Sequence, residues 1–260
     1  MNLRMTVNGM DTLMYGARLL SRSIGVPAVT TYDDWLKGAM NPIVFGQQTT
    51  YRQIKLNFLV KDGDDKSAFA NMSGLLARMR QCSIKFQDMD YAYDCVLQEA
   101  GEPEKSIMDG RFKLEVTLKA AYAYTSEEEQ SYNLEFTTLD NSINVNVKGN
   151  LPVPIIVQAE LLEADTDLNL MFNVGPDDDT SIKGWIKNGF IMRPLYKNSG
   201  LIVDGEKCTV FQNGQNDYDS FWGNFVTLQP GNNTVPVSFE ALNNGDAKLS
   251  LKIKYKPRYM

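Results

Sequence analysis

The chain has 260 residues, 43% of them hydrophobic and 22% charged, with a formal net charge of -6 and no histidine. This is the composition of a globular protein with room for one large domain or two ordinary ones, and its acidity argues against nucleic acid as the main partner, because phosphate binding calls for a basic surface. The absence of histidine removes the serine-histidine and cysteine-histidine nucleophiles, the usual acid-base group at neutral pH and most catalytic zinc sites, which leaves carboxylate or lysine chemistry to an enzyme.

In chain order, MNLRMTVNGMD has no apolar core of signal-peptide length. No apolar run approaches a membrane span. The expectation is a soluble protein made inside the cell, with no membrane partner. Leu3, Met5 and Val7 alternate with polar neighbours and run into Asn8-Gly9, a hairpin-turn signal. After a loop, residues 51 to 60 (YRQIKLNFLV) place Ile54, Leu56, Phe58 and Val60 on one face of a strand. DGDD at 62 to 65 stops it and offers a helix cap. The spacing of Phe69, Met72, Leu76 and Met79, with Leu75 beside them, predicts a helix over about 65–81. Arg78 and Arg80 suit its C-terminal end. Gly74 in its middle costs about 1 kcal/mol against alanine, so the helix depends on packing.

Strands resume at Cys82-Ile84-Phe86, at Tyr91, Tyr93, Cys95 and Leu97, and at Phe112, Leu114, Val116 and Leu118. Cys82, Cys95 and Cys208 form an odd set without a C-x-x-C, which indicates buried thiols rather than a disulfide framework or a zinc site. Cys82 and Cys95 are placed to face each other across neighbouring strands. TSEEEQSYN at 125 to 133 reads as a solvated linker.

Beyond it, short alternating strands recur with turn signals: Ile143 to Val147, Leu168 to Val174 followed by GPDDD, Leu201 to Val203, Val235 to Phe239 followed by NNGD, and Leu249 to Tyr255. FVTLQPGNNTVPVSF at 225 to 239 reads as two apolar runs around a Pro-Gly-Asn-Asn turn. The pattern predicts an antiparallel sandwich. Lys248, Lys252, Lys254 and Lys256 alternate on the last strand, as on an edge that resists unwanted pairing; the alternative is a docking site for an acidic neighbour.

Two stretches suggest ligands. Asp165, Asp167 and Asn169 begin like a calcium loop, but Leu170 stands where glycine is needed and Pro176 where the closing glutamate belongs, so a turn explains them and no metal is expected. In QNDYDSFWGN at 215 to 224, Asp217, Tyr218, Trp222 and Asn224 combine rings, an amide and a carboxylate, the groups that bind a sugar. The competing reading is a loop whose aromatics cover a sandwich edge. No catalytic residue and no cofactor motif stands out.

TTYRQIKLNFLV leading into a helix and then CSIKFQD, with FVTLQPGNNTVPVS and KLSLKIKYKPRYM at the other end, resembles the distal tail protein (Dit) family of long-tailed bacteriophages. The resemblance implies a mainly β fold with one helix. Residues 1–134 would form a split-barrel-like, ring-forming domain, and 135–260 a galectin-like antiparallel sandwich. It implies a hexameric ring of copies of itself at the phage tail tip. That ring joins the tail tube protein to the tail-associated lysin or fibre protein and anchors receptor-binding proteins. Such a virion protein is made in the host bacterial cytoplasm and has no catalytic residues. The alternative class is a carbohydrate-binding sandwich module that contacts the host surface; an enzyme working through carboxylates is a third.

Overall fold

The structure, a computed structural model, describes residues 3–34, 40–41, 43–176, 178, 180, 186–241 and 246–260. Its strands and one α-helix divide into two units, 1–125 with 259–260, and 126–258. The GPDDD aspartates at 177 and 179 and most of the NNGD turn lie outside the described residues.

In the first unit, β1 (Met5–Val7) and β2 (Met10–Asp11) form the expected hairpin. Asn8 and Gly9 both have positive φ (51° and 78°), as a two-residue turn matched to strand twist requires. A 3-10 turn at Thr12–Tyr15 leads into β3 (Ala17–Ile24). The segment expected as a loop then carries β4 (Val29–Asp34) and β5 (Ile43–Thr49), paired with each other. β6 (Arg52–Lys61) buries Ile54, Leu56, Phe58 and Val60 completely.

Helix α1 spans Asp65–Met79, and Asp64 caps it by accepting from Ser67 N at 2.7 Å. Its buried stripe is Ala68, Met72, Leu75 and Met79. Phe69, expected inside, is 50% exposed, and Leu76 only borders the core. Positions 68, 72, 75 and 79 follow the i, i+4, i+7, i+11 spacing of a stripe as well as the expected set does, and alanine carries too little apolar surface to reveal which was in use. A Cβ at Gly74 would stand 3.3 Å from the Tyr15 ring, so the glycine makes room for that ring.

β7 (Gln81–Phe86), β8 (Ala92–Ala100), β9 (Glu104–Lys105) and β10 (Arg111–Tyr124) follow. The sheet runs β2-β1-β7-β8-β10-β6-β3, with β9 also on β10. The strands at 51–60 and 111–120 therefore pair within the chain, from Arg111 opposite Lys61 to Ala120 opposite Arg52. Arg52 turns inward: it is 7% exposed, with Nη2 donating to the Tyr259 carbonyl at 3.4 Å and its guanidinium 5.6 Å from the Tyr93 ring centre. Tyr259 also packs edge-on against Tyr91 at 5.1 Å. Cys82 and Cys95 are direct cross-strand partners and both are free and buried. Burial pushes the Cys82 thiol up to about 11 and the Cys95 thiol higher still.

The second unit starts earlier than the expected boundary at 134. The expected linker is strand β11 (Glu128–Phe136), whose alternate residues Tyr132, Leu134 and Phe136 turn towards the core. Next come β12 (Asp140–Val147), β13 (Val153–Pro154), β14 (Ile156–Glu163), β15 (Leu168–Phe172) and β16 (Phe190–Leu195). They are followed by β17 (Gly200–Asp204), β18 (Thr209–Gln212), β19 (Gln215–Asn216) and β20 (Phe221–Gly223). Then come β21 (Thr227–Leu228), β22 (Gly231–Phe239) and β23 (Ala247–Tyr255), and the chain ends with the short β24 (Arg258–Tyr259). Two antiparallel sheets, β11-β23-β14-β17-β18-β19 and β12-β22-β15-β16-β20, enclose one apolar core rich in phenylalanine. The expected turn at 230–233 is shorter than its sequence suggests, since Asn232 and Asn233 already pair with Asn146 and Val145. Asn233 Nδ2 donates to the Gln229 carbonyl (2.8 Å) and the Gly231 carbonyl (3.0 Å) and so closes the loop.

Sandwich edges expose unpaired backbone, and here one edge is satisfied by side chains. The Tyr132 hydroxyl donates to the Asn144 carbonyl, and Gln130 Nε2 and the Tyr255 hydroxyl donate to the Asn146 carbonyl, each at 2.8 Å.

Candidate functional site

β3 and β6 are neighbours in the sheet, and the chain continues from them directly into β4 and out of β5. Gly25 N donates to the Gln53 carbonyl (2.8 Å) and Thr50 N to the Ala28 carbonyl (2.7 Å), so the pairing carries on across the junction. β4 and β5 are thus a two-stranded ribbon extending beyond the sheet, with every residue of β4 exposed. On it Val29, Tyr32, Ile43 and Val44 are about half exposed and Phe45 is 71% exposed. A two-stranded ribbon cannot bury its own apolar side chains, and exposed apolar clusters of this kind mark contact surfaces. The signal in sequence was a pair of short β-rich runs, VTTYDD and IVFGQQT.

The proposed sugar-contact residues lie at the corner where the chain passes from one sheet to the other. The Asp217 carboxylate accepts from Gln212 Nε2 (3.0 Å) and from the Ser220 hydroxyl (2.7 Å). Tyr218 is half exposed, its ring 5.6 Å from Phe221 and 6.4 Å from Phe225. Trp222 is half buried, with the Arg193 guanidinium 4.5 Å over its ring. Arg193 is held in turn by Glu240, to which Asn169 Nδ2 also donates at 2.8 Å. Burial pushes the Glu240 carboxyl up, but Arg193 and Asn169 outweigh it and leave the group below the usual carboxylate value. Asn224 turns towards a different segment, donating to the Ile186 carbonyl at 2.7 Å. The Asp217 carboxylate and the Asn224 amide thus have partners within the sandwich, and one face of the Trp222 indole is covered.

In the calcium-like stretch, Asp167 accepts from Lys197 N at 2.8 Å while Asn169 turns to Glu240. Among the described residues no group of three or more Asp, Glu, Cys or His side chains is placed to hold a metal ion. The lysine-bearing last strand is not an edge: β23 lies between β11 and β14. Its acidic neighbours are in the same chain. Lys254 and Lys252 reach Glu129 (3.2 and 3.7 Å) and Lys248 reaches Glu163 (2.8 Å). Glu129, in the acidic run expected as a solvated connector, is therefore the partner of Lys252 and Lys254, and hydrogen bonding from Lys254 holds its carboxyl below its ordinary value. Among the described residues no helix is long and apolar enough to cross a membrane.

A mainly β chain with one helix, built as a curled sheet unit followed by a sandwich, falls in the class of phage baseplate hub folds. In particular it has the Dit fold. It is similar to the crystal structure of Dit from phage SPP1, described as a paradigm of the hub adsorption apparatus in phages that infect Gram-positive bacteria. The likeness covers 99% of both chains, with a TM-score of 0.67 and 14% identity. It is also similar to a chain of the phage p2 baseplate in its activated conformation with strontium, over 96% of this chain and 97% of that one, with a TM-score of 0.53 and 9% identity. The same baseplate with calcium gives a TM-score of 0.53 and 8% identity. No protein-family model and no curated protein matches the chain.

Proposed function

We propose that this chain is a structural hub of a phage tail tip, without catalytic activity. Copies of it form a hexameric ring that joins the tail tube protein to the tail-associated lysin or fibre protein, and the sandwich units anchor receptor-binding proteins. The protein is made in the host bacterial cytoplasm and resides in the virion. The observation that carries this reading is the likeness to a phage hub protein over 99% of both chains, which spans both units of this one. The uncovered apolar ribbon adds a physical reason for self-association, because water contact with Val29, Ile43, Val44 and Phe45 is relieved when another surface covers them. Electron microscopy of the purified protein tests the proposal. Six-fold particles with an axial hole are expected; a chain that stays monomeric, alone and with tail tube protein, would refute it. In the same reading Asp217, Trp222 and Asn224 brace the sandwich corner rather than bind sugar, and a glycan array should give no signal.

A further inference from the structure

We infer that the ribbon of one copy docks on an apolar patch of the next, formed by Phe69, Ile107 and Met108, so that assembly runs head to tail. This rests on the ring reading above and names its contact. Ile107 is fully exposed, and Met108 and Phe69 are half exposed. The loop that carries Ile107 and Met108 is fixed at both ends. Ser106 N donates to the Arg111 carbonyl (2.8 Å), Gly110 N donates to Asp65 Oδ1 (2.7 Å), and Lys105 bridges Asp65 and Asp109. The Phe69 ring rests 4.8 Å from that of buried Phe112. Apolar side chains held in place before contact lose little freedom on binding, which is what a contact centre needs.

The two surfaces belong to opposite ends of one ladder. The ribbon leaves β6 at its Arg52 end, whereas Ile107 and Met108 directly precede Arg111, which pairs with Lys61 at the other end. Ten register pairs of β6 and β10 separate the ends, about 30 Å at ~3.3 Å per residue. The ribbon runs away from its own patch and meets that of a neighbour. A contact between two different surfaces repeats from copy to copy and closes into a ring when the rotation allows.

One charge pair is available to the same contact. Beside the patch, Asp62, Asp64, Asp65 and Asp109 are all engaged within the unit, by Asn71, Ser67 and Lys105. Lys61 and Lys66 are exposed and hold no ion pair among the described residues. On the ribbon, Asp33 is exposed and equally free among the described residues. Asp33 facing Lys61 or Lys66 adds one ion pair to the contact, offset by the charge of Asp62 and Asp64, whose hydrogen bonds to Asn71 and Ser67 leave them anionic, so the apolar side chains carry the contact.

Native mass spectrometry and sedimentation of the full chain test the contact. The I107S/M108S double variant, altered only at exposed positions, is expected to raise the concentration needed for assembly by about tenfold or more. Asp33→Lys and Lys66→Asp should each weaken assembly, and the two together should restore it. Rings that form unchanged in the I107S/M108S variant would overturn the contact and leave the ring reading standing. A wild-type chain that never assembles would remove both.

Discussion

Helix α1 carries two adjacent leucines, and the structure assigns them different fates. Leu75 is fully buried among the core residues of the first unit, whereas Leu76 only borders that core. Truncating Leu75 to alanine removes buried methyl groups and leaves a cavity, a loss of about 3 kcal/mol. The same change at Leu76 removes side-chain atoms that are partly hydrated already, a loss of about 1 kcal/mol. Intrinsic helix propensity does not separate the two, because leucine and alanine are both strong helix formers and the substitution is identical. In a unit of this size, about 3 kcal/mol corresponds to a melting shift of ~10 °C and about 1 kcal/mol to a few degrees. Circular dichroism melts and urea titrations of the two variants measure the difference. Equal losses, or a larger loss at Leu76, would show that the stripe Ala68-Met72-Leu75-Met79 is not the buried one and would refute the packing of α1 described above.

Three further outcomes are expected. Asn233→Ala should destabilise the second unit by about 1–2 kcal/mol through loss of the loop-closing amide bonds, read by urea titration; an unchanged midpoint would show that the loop closes without them. The Glu129 carboxyl is held below its ordinary value, so the folded chain binds that proton less readily than the unfolded one and the ion pair's contribution is present above the ordinary carboxylate range and lost as pH falls through it. Glu129→Gln should therefore flatten the acid limb of the stability profile below about pH 4.5. For the thiols the sign is opposite: with Cys82 raised from 9.0 to about 11 and Cys95 also raised, stability should fall as pH rises past 9, and the C82A/C95A variant should fall less steeply between pH 9 and 10.

The sequence by itself determined the elements whose pattern is local. Alternation at 54, 56, 58 and 60 is enough to define a strand, because side chains alternate across its faces; Asn8-Gly9 is enough to define a turn, because its backbone needs positive φ; and Asp64 is enough to start a helix. Chain order also carried the mainly β class and the succession of a helix-bearing unit and a sandwich. Only the tertiary structure decided which elements are neighbours. Glu129 and Lys254 lie far apart in the chain, yet the register of β11 on β23 sets them opposite each other, turning an expected connector and an expected edge into one paired ladder. The same holds for the ribbon. Its residues read as a loop although VTTYDD and IVFGQQT are β-rich, and their exposure depends on the sheet ending at the Arg52 end of β6. A pattern along the chain reports the period of a side chain's environment, not the identity of what fills it. Pairing, edge position and solvent contact come from residues remote in sequence, and these fixed the surfaces on which the proposed assembly depends.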